Sequence, residues 1–188
     1  VNRENDQIQY INVIRSYAVT LDVEFVKNML ENPEFRQNEQ LRNKIAEVAE
    51  NYDYIIIDCQ PSLGICTMNA LVASDAVIIP VQCEFYALEG VSQLVSTIEL
   101  VKKSLNPALE VQGVILSMFD GRTNLSLQVV ENVKDNLQQT IYKTIIPRNI
   151  RLAEAPSHGL PINLYDPKSA GAESYMLLAE EVINKGEE

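Results

Sequence analysis

The sequence is poor in histidine, in cysteine and in long apolar runs. A single histidine, His158, leaves no cluster for metal binding or an acid–base relay. The three cysteines, Cys59, Cys66 and Cys83, are odd in number, lie among apolar neighbours and match no Cys-x-x-Cys spacing. That pattern argues against a disulfide scaffold or zinc site and for reduced core cysteines. No window reaches the roughly 18 to 20 consecutive apolar residues of a bilayer span. The opening stretch VNRENDQIQY is polar where a secretion signal carries an apolar core. The expectation is a soluble, cytoplasmic protein with no membrane partner. There is also no G-x-x-x-x-G-K-[ST] stretch, the loop whose backbone amides cradle nucleotide phosphates.

Positive charge is scarce too. Fifteen Lys and Arg face 26 Asp and Glu, for a net charge of −11, which opposes a simple basic nucleic-acid binder. The deficit is uneven, because residues 117–151 carry five basic and three acidic side chains. A local cationic face is therefore compatible with an acidic protein. What the chain does have is apolar content: 46% of 188 residues, enough to bury the core of one globular domain.

From residue 54 onward, β-branched runs alternate with segments of helical period, the pattern of repeated βαβ units. YIIID, AVIIPV, VQGVILSMF and YKTII are the expected strands, buried on both faces. Two helical stripes, Leu88, Val91, Leu94, Val95, Ile98, Val101, Leu105 and Leu125, Val129, Val130, Val133, Leu137, are expected to face the core. Upstream, IQYINVI alternates like a strand, LDVEFVKNML fits a short helix, ENPEF a turn, and EQLRNKIAEVAENY a helix. The fold class is α/β, a mostly parallel sheet with helices on both faces, and residues 1–188 are expected to form a single domain with a frayed NKGEE tail.

Asp58 ends the first strong strand, where open α/β sheets bind ligands outside the strand ends. By position alone it is equally a ligand group or an acid capping the next helix, a role open also to Ser62. Two chemistries use an aspartate there: a Walker-B carboxylate holding Mg²⁺ opposite a phosphate loop, and a receiver-type phosphoacceptor. Neither set of helper residues is complete. Arg122 and Arg151 have an ordinary reading as solvated side chains paired with an acid such as Glu154. Glu84 and Glu89, which flank FYALEG, could pass for a paired-carboxylate site. His158 reads as a loop residue, and YDPKSAGAESY as a helix cap near Ser169 rather than an anion site.

The order of motifs goes further. The run from YDYIIIDCQPSLG through LSMFDGRTN to IIPRNIRLAEAPSHGLPINLYDPKSAGAESY closely resembles the ParA/Soj/MinD family of partition ATPases, the Soj-like chromosome-partitioning branch above all. The resemblance covers roughly residues 40–185 and extends faintly to INVI. It implies a P-loop NTPase-like fold, an ATP-bound homodimer that binds DNA without sequence preference, and a ParB-type partner protein that stimulates slow hydrolysis. A cytoplasmic, nucleoid-associated location follows from the same likeness. Carried over by motif, Asp58 matches the catalytic Walker-B aspartate near Mg²⁺. Arg122 in DGRTN and Arg151 in PRNIR match DNA-binding arginines, and Pro147, Arg148 and Asn149 match the loop beside the nucleotide base. One departure is Gln60, where the family usually has a second proline.

In the family the phosphate loop, its strand and the switch segment precede the point matched by the start of this chain. The expectation is therefore the C-terminal portion of a longer ATPase, inefficient in hydrolysis alone, with an unpaired apolar strand edge beside Asp58. The alternatives are a non-catalytic binding module that keeps only partner or DNA contacts, and the receiver-like phosphoacceptor.

Overall fold

A computed structural model of the chain describes residues 9–14, 40–59, 64–84, 87–136 and 139–186. The expected helix LDVEFVKNML, the turn ENPEF and Ser62 lie outside the described residues, as do the side chains of Leu88, Glu89 and Leu137. The chain gathers into two compact units. One comprises Val1–Ile79 and Glu89–Gln112, the other Pro80–Leu88 and Gly113–Glu188.

In the first unit, β1 (Gln9–Ile14) runs parallel to β2 (Tyr54–Cys59), with Gln9 opposite Tyr54 and Ile14 opposite Cys59. Its middle residues Ile11 to Val13 also pair in parallel with Ala76 to Ile78 of β3 (Ala76–Gln82). The strand order is β2-β1-β3-β4, with β4 spanning Glu110–Ser117. The expected open edge beside β2 is thus filled on its inner side by β1. Pro80, which has no amide to donate, falls two residues beyond the last β1 partner in β3.

Helix α1 (Gln40–Ala46) ends in a 3₁₀ turn over Ala49–Asn51 that feeds β2. Helix α2 (Ile65–Ala73) sinks Met68 and Leu71 completely, and α3 (Ala87–Ser104) does the same with Val91, Ile98 and Val101 on the expected stripe. β3 matches the expectation of a strand buried on both faces, with Val77 at 0% exposure on one face and Ile78 at 4% on the other. β2 does not: Ile56 is 68% exposed, and β2 is the outermost strand among the described residues.

The first unit has one polar keystone. The Asn106 side chain, 6% exposed, donates to the carbonyls of Leu71 (3.0 Å), Val72 (3.3 Å) and Ser74 (2.7 Å). Those are orphan acceptors at and beyond the C-terminal end of α2, so the amide does the work of a helix C-cap from 32 or more residues away.

The second unit holds α4 (Asn124–Asn136), α5 (Ile150–Glu154), a 3₁₀ turn over Ala155–His158, α6 (Ile162–Tyr165) and α7 (Ala170–Gly186). Val129, Val130 and Val133 of α4 face inward, but Leu125 is 41% exposed and the small Ser126 takes the buried place. The expected strand YKTII does not form. Only isolated bridges, Val114 to Ile141 and Phe119 to Pro147, flank it. A side chain interrupts it: the Glu181 carboxylate accepts from the amides of Lys143 (2.8 Å) and Thr144 (3.0 Å), and the Thr144 amide is the one a ladder with β4 would use between the Tyr142 and Ile146 amides that do donate to Val114 and Leu116.

Replacing Asn106 by Ala should destabilise the fold by about 1–3 kcal/mol, since it strands buried carbonyls. A denaturant midpoint unchanged from the parent would refute this accounting.

Candidate functional site

Asp58 belongs to the first unit, the penultimate residue of β2, exposed, and opposite Val13 of β1. The next helix opens at Gly64, which has no side chain to cap it. Among the described residues, no group of three or more His, Cys, Asp or Glu is arranged to hold a metal ion.

The other residues expected to act are gathered in the second unit by backbone hydrogen bonds. Met118, just past β4, takes a positive φ of 55°, a costly conformation for a non-glycine residue. Phe119 follows. Its amide donates to the Ile146 carbonyl (3.2 Å), and its carbonyl accepts from the Arg148 amide (2.8 Å). These two bonds join the Asp120–Arg122 turn to the Pro147–Arg151 segment.

In the turn, Asp120 Oδ1 accepts from the backbone amide (3.1 Å) and Nε (2.9 Å) of Arg122, while Oδ2 accepts from Nη2 (2.7 Å). The Arg122 side chain is 88% exposed and that of Asp120 18%. Hydrogen bonds from Arg122 hold the Asp120 carboxyl down at about 2, with a smaller contribution from the charge of Arg148. The Asp120 amide donates to Ser126 Oγ (3.3 Å), and Thr123 donates to the Asp120 carbonyl through its amide (3.1 Å) and hydroxyl (3.0 Å). Sequence reading missed this pair, although an acid two residues before an arginine in a Gly-containing turn is a readable Asx-turn signal.

Arg148 reaches Glu84, with Nη2 2.6 Å from Oε1 across 64 residues of sequence. Asn149 caps α5, its side chain accepting from the Arg151 amide at 2.8 Å. Arg151 pairs with Glu154 (2.9 Å), as the ordinary reading anticipated, and also with Asp166 (3.4 Å). Tyr165 donates to Glu154 (3.1 Å) and stacks on His158 with ring centroids 4.9 Å apart. The Arg151 and Tyr165 hydrogen bonds lower the Glu154 carboxyl below its ordinary range. Gly171 lets α7 seat against this segment, since a Cβ there would lie 2.6 Å from Leu152 Cγ. Ser169 caps α7 by accepting from the Ala172 amide (3.2 Å), as expected.

Beneath this surface lie apolar and poorly hydrated groups. Burial pushes the Cys83 thiol up to about 11, and burial together with Glu181 pushes the Tyr142 phenol up to about 12. The Lys185 ammonium sits 3.9 Å from the Tyr142 ring centroid, a cation–π contact that fastens α7.

Comparison with known proteins places these features. The family described as AAA domain matches residues 3–111. The chain is 58% identical over 154 residues to the sporulation initiation inhibitor protein Soj of Bacillus subtilis, covering 82% of this chain and 61% of that protein. It is 48% identical over 179 residues to the chromosome partitioning protein ParA of Myxococcus xanthus, covering 95% and 62%. Among solved structures, cobyrinic acid a,c-diamide synthase from Mycobacterium smegmatis, with bound ATP analogue and magnesium, aligns with TM-score 0.66 at 31% identity, over 84% of this chain and 56% of that one. The class is thus α/β of the P-loop NTPase type, with a parallel sheet and helices. The chain belongs to the ParA/Soj family of chromosome-partitioning proteins. It spans about three fifths of the length of those two relatives.

The buried thiol and phenol set an alkaline limit. Between pH 9.0 and about 11 an unfolded thiol ionises while folded Cys83 stays neutral. Tyr142 behaves likewise between 10.0 and about 12. The unfolded state then holds fewer protons, so stability present below pH 9.0 falls as pH rises. The denaturant midpoint should drop between pH 8 and about 11, and drop less in the Cys83→Ala/Tyr142→Phe variant. Equal losses in both proteins would show that these groups do not set the limit.

Proposed function

We propose that this chain works in chromosome or plasmid partitioning, as part of an ATP-controlled homodimer that binds DNA without sequence preference and is stimulated by a ParB-type partner. The observation that carries the reading is the 58% identity to Soj over 82% of the chain. Within that reading, Arg122 and Arg151 contact DNA phosphates, and Pro147, Arg148 and Asn149 border the nucleotide base. Both arginines are more than half exposed, at 88% and 54%, on segments joined through Phe119. Arginine suits the role because its planar fork matches phosphate oxygens and because phosphate contacts give affinity without base readout.

Asp58 is assigned to Mg²⁺. An exposed carboxylate at a strand end fits a cation that needs only one or two protein carboxylates and takes its other ligands from water and substrate phosphates. When bound, the ion would neutralise phosphate charge. Asp58 would orient it, and the backbone of β2 would fix Asp58. The location that goes with this role is the cytoplasm, on the nucleoid.

The test is made in the full-length protein. Replacing Arg122 and Arg151 together by Ala should abolish salt-sensitive retention of duplex DNA while leaving fluorescent-ATP binding intact. Asp58→Ala should remove the Mg²⁺-dependent part of nucleotide binding. Unchanged DNA retention in the double variant would sink the DNA assignment, and Mg²⁺-independent nucleotide binding in the parent would sink that of Asp58. Absence of any nucleotide binding by a folded parent would favour a non-catalytic binding module.

A further inference from the structure

The guanidinium of Arg122 has five N–H groups along two usable edges. Asp120 occupies one edge only, the Nε–Nη2 side, at 2.9 and 2.7 Å. The other edge, Nη1 with the second hydrogen of Nη2, belongs to a side chain that is 88% exposed. Asp120 itself is not free to follow Arg122. Its amide is tied to Ser126, its carbonyl receives two donors from Thr123, and Ser126 is 3% exposed, with Oγ 3.4 Å from the Cys83 carbonyl. The carboxylate is therefore a fixed post, and the long side chain is the movable part leaning on it.

We propose that Asp120 is a positioning residue, a buttress that holds Arg122 by its inner edge and presents the outer Nη1–Nη2 edge to a DNA phosphate. The inference rests on the reading of Arg122 as a phosphate contact and deepens it. Arginine loses rotamer freedom when it grips a phosphate, and a side chain already held loses less. The bidentate pair supplies that preorganisation, and the strained Met118 with the Phe119 bonds fixes where the post stands. A second effect opposes it. The Asp120 charge repels a nearby phosphate, but across water at physiological salt this repulsion is weak and screened. Orientation is the larger effect at such salt, and the balance shifts toward repulsion as salt is lowered.

Asp120→Asn separates the two effects without dismantling the turn. The Asn oxygen still accepts from the Arg122 amide, while the new NH₂ faces Nη2 and cannot hold the fork. In the full-length protein with ATP, anisotropy of a short fluorescent duplex of arbitrary sequence should report DNA affinity reduced about three- to tenfold at near-physiological salt. The loss should shrink as salt is lowered from about 200 to 50 mM. Arg122→Ala should weaken binding more, and adding Asp120→Asn to it should weaken binding no further, which a general defect in folding would not reproduce. Tighter or unchanged DNA binding by Asp120→Asn at near-physiological salt would overturn the buttress while leaving Arg122 as a contact. Unchanged binding by Arg122→Ala would overturn both assignments for this turn.

Discussion

Two hydrogen bonds made by one residue organise the arginine-bearing surface. Phe119 donates to Ile146 and accepts from Arg148, and no side-chain chemistry is involved. Because the bonds are backbone, the segment after β4 and the segment before α5 keep their relative register whatever side chains they carry. The residues proposed to act in the second unit flank that junction: the Asp120–Arg122 turn on one side, and Arg148, the Asn149 cap and Arg151 on the other. The positive φ of Met118 lies one residue away. Strain of this kind persists only where surrounding bonds over-determine the backbone, and the Phe119 pair, together with the Cys83 amide on the Ser117 carbonyl (2.8 Å), does so.

The periodicity of the sequence made the strands β2, β3 and β4 and the helix α3 legible; in β3, β4 and α3 the pattern reports burial, since each puts several side chains in the core. Its failures share a cause. YKTII has strand composition, and Tyr142 and Ile146 do donate to β4, yet the amides of Lys143 and Thr144 are drawn to Glu181, a side chain 37 or 38 residues later that no local pattern announces. Leu125 fits a helical stripe but lies in the first turn of α4, where Ser126 is buried against Cys83 instead. Ile56 belongs to a run apolar enough for a core, yet it is exposed on the strand that is outermost among the described residues, a position set by strand order.

The proposed site was read by a different route. Composition and spacing alone left Asp58, Arg122 and Arg151 with ordinary alternatives, and the order of motifs singled them out. The structure adds what motif order could not: each arginine of the second-unit surface has an acidic partner. Arg122 has Asp120, Arg148 has Glu84, and Arg151 has Glu154 and Asp166. Only the Arg151–Glu154 pair lies at helical spacing that a sequence reader would check. Glu84 and Arg148 meet across 64 residues, which only the fold reveals.

Those pairings bear on how so acidic a chain could carry the surface proposed here for DNA. A net charge of −11 would repel DNA at long range, but at physiological salt charges more than about 8 Å apart are largely screened. What remains is decided within one side-chain length. There, carboxylates beside exposed arginines hold their guanidinium groups through ion pairs. Exposed ion pairs are weak enough to leave the arginines available to a phosphate. The acids therefore need not be read as blocking the surface. On the proposed reading these acids, fixed in turns and short helices, would act on direction more than on charge, and direction is what an arginine would need to meet a phosphate without regard to base sequence.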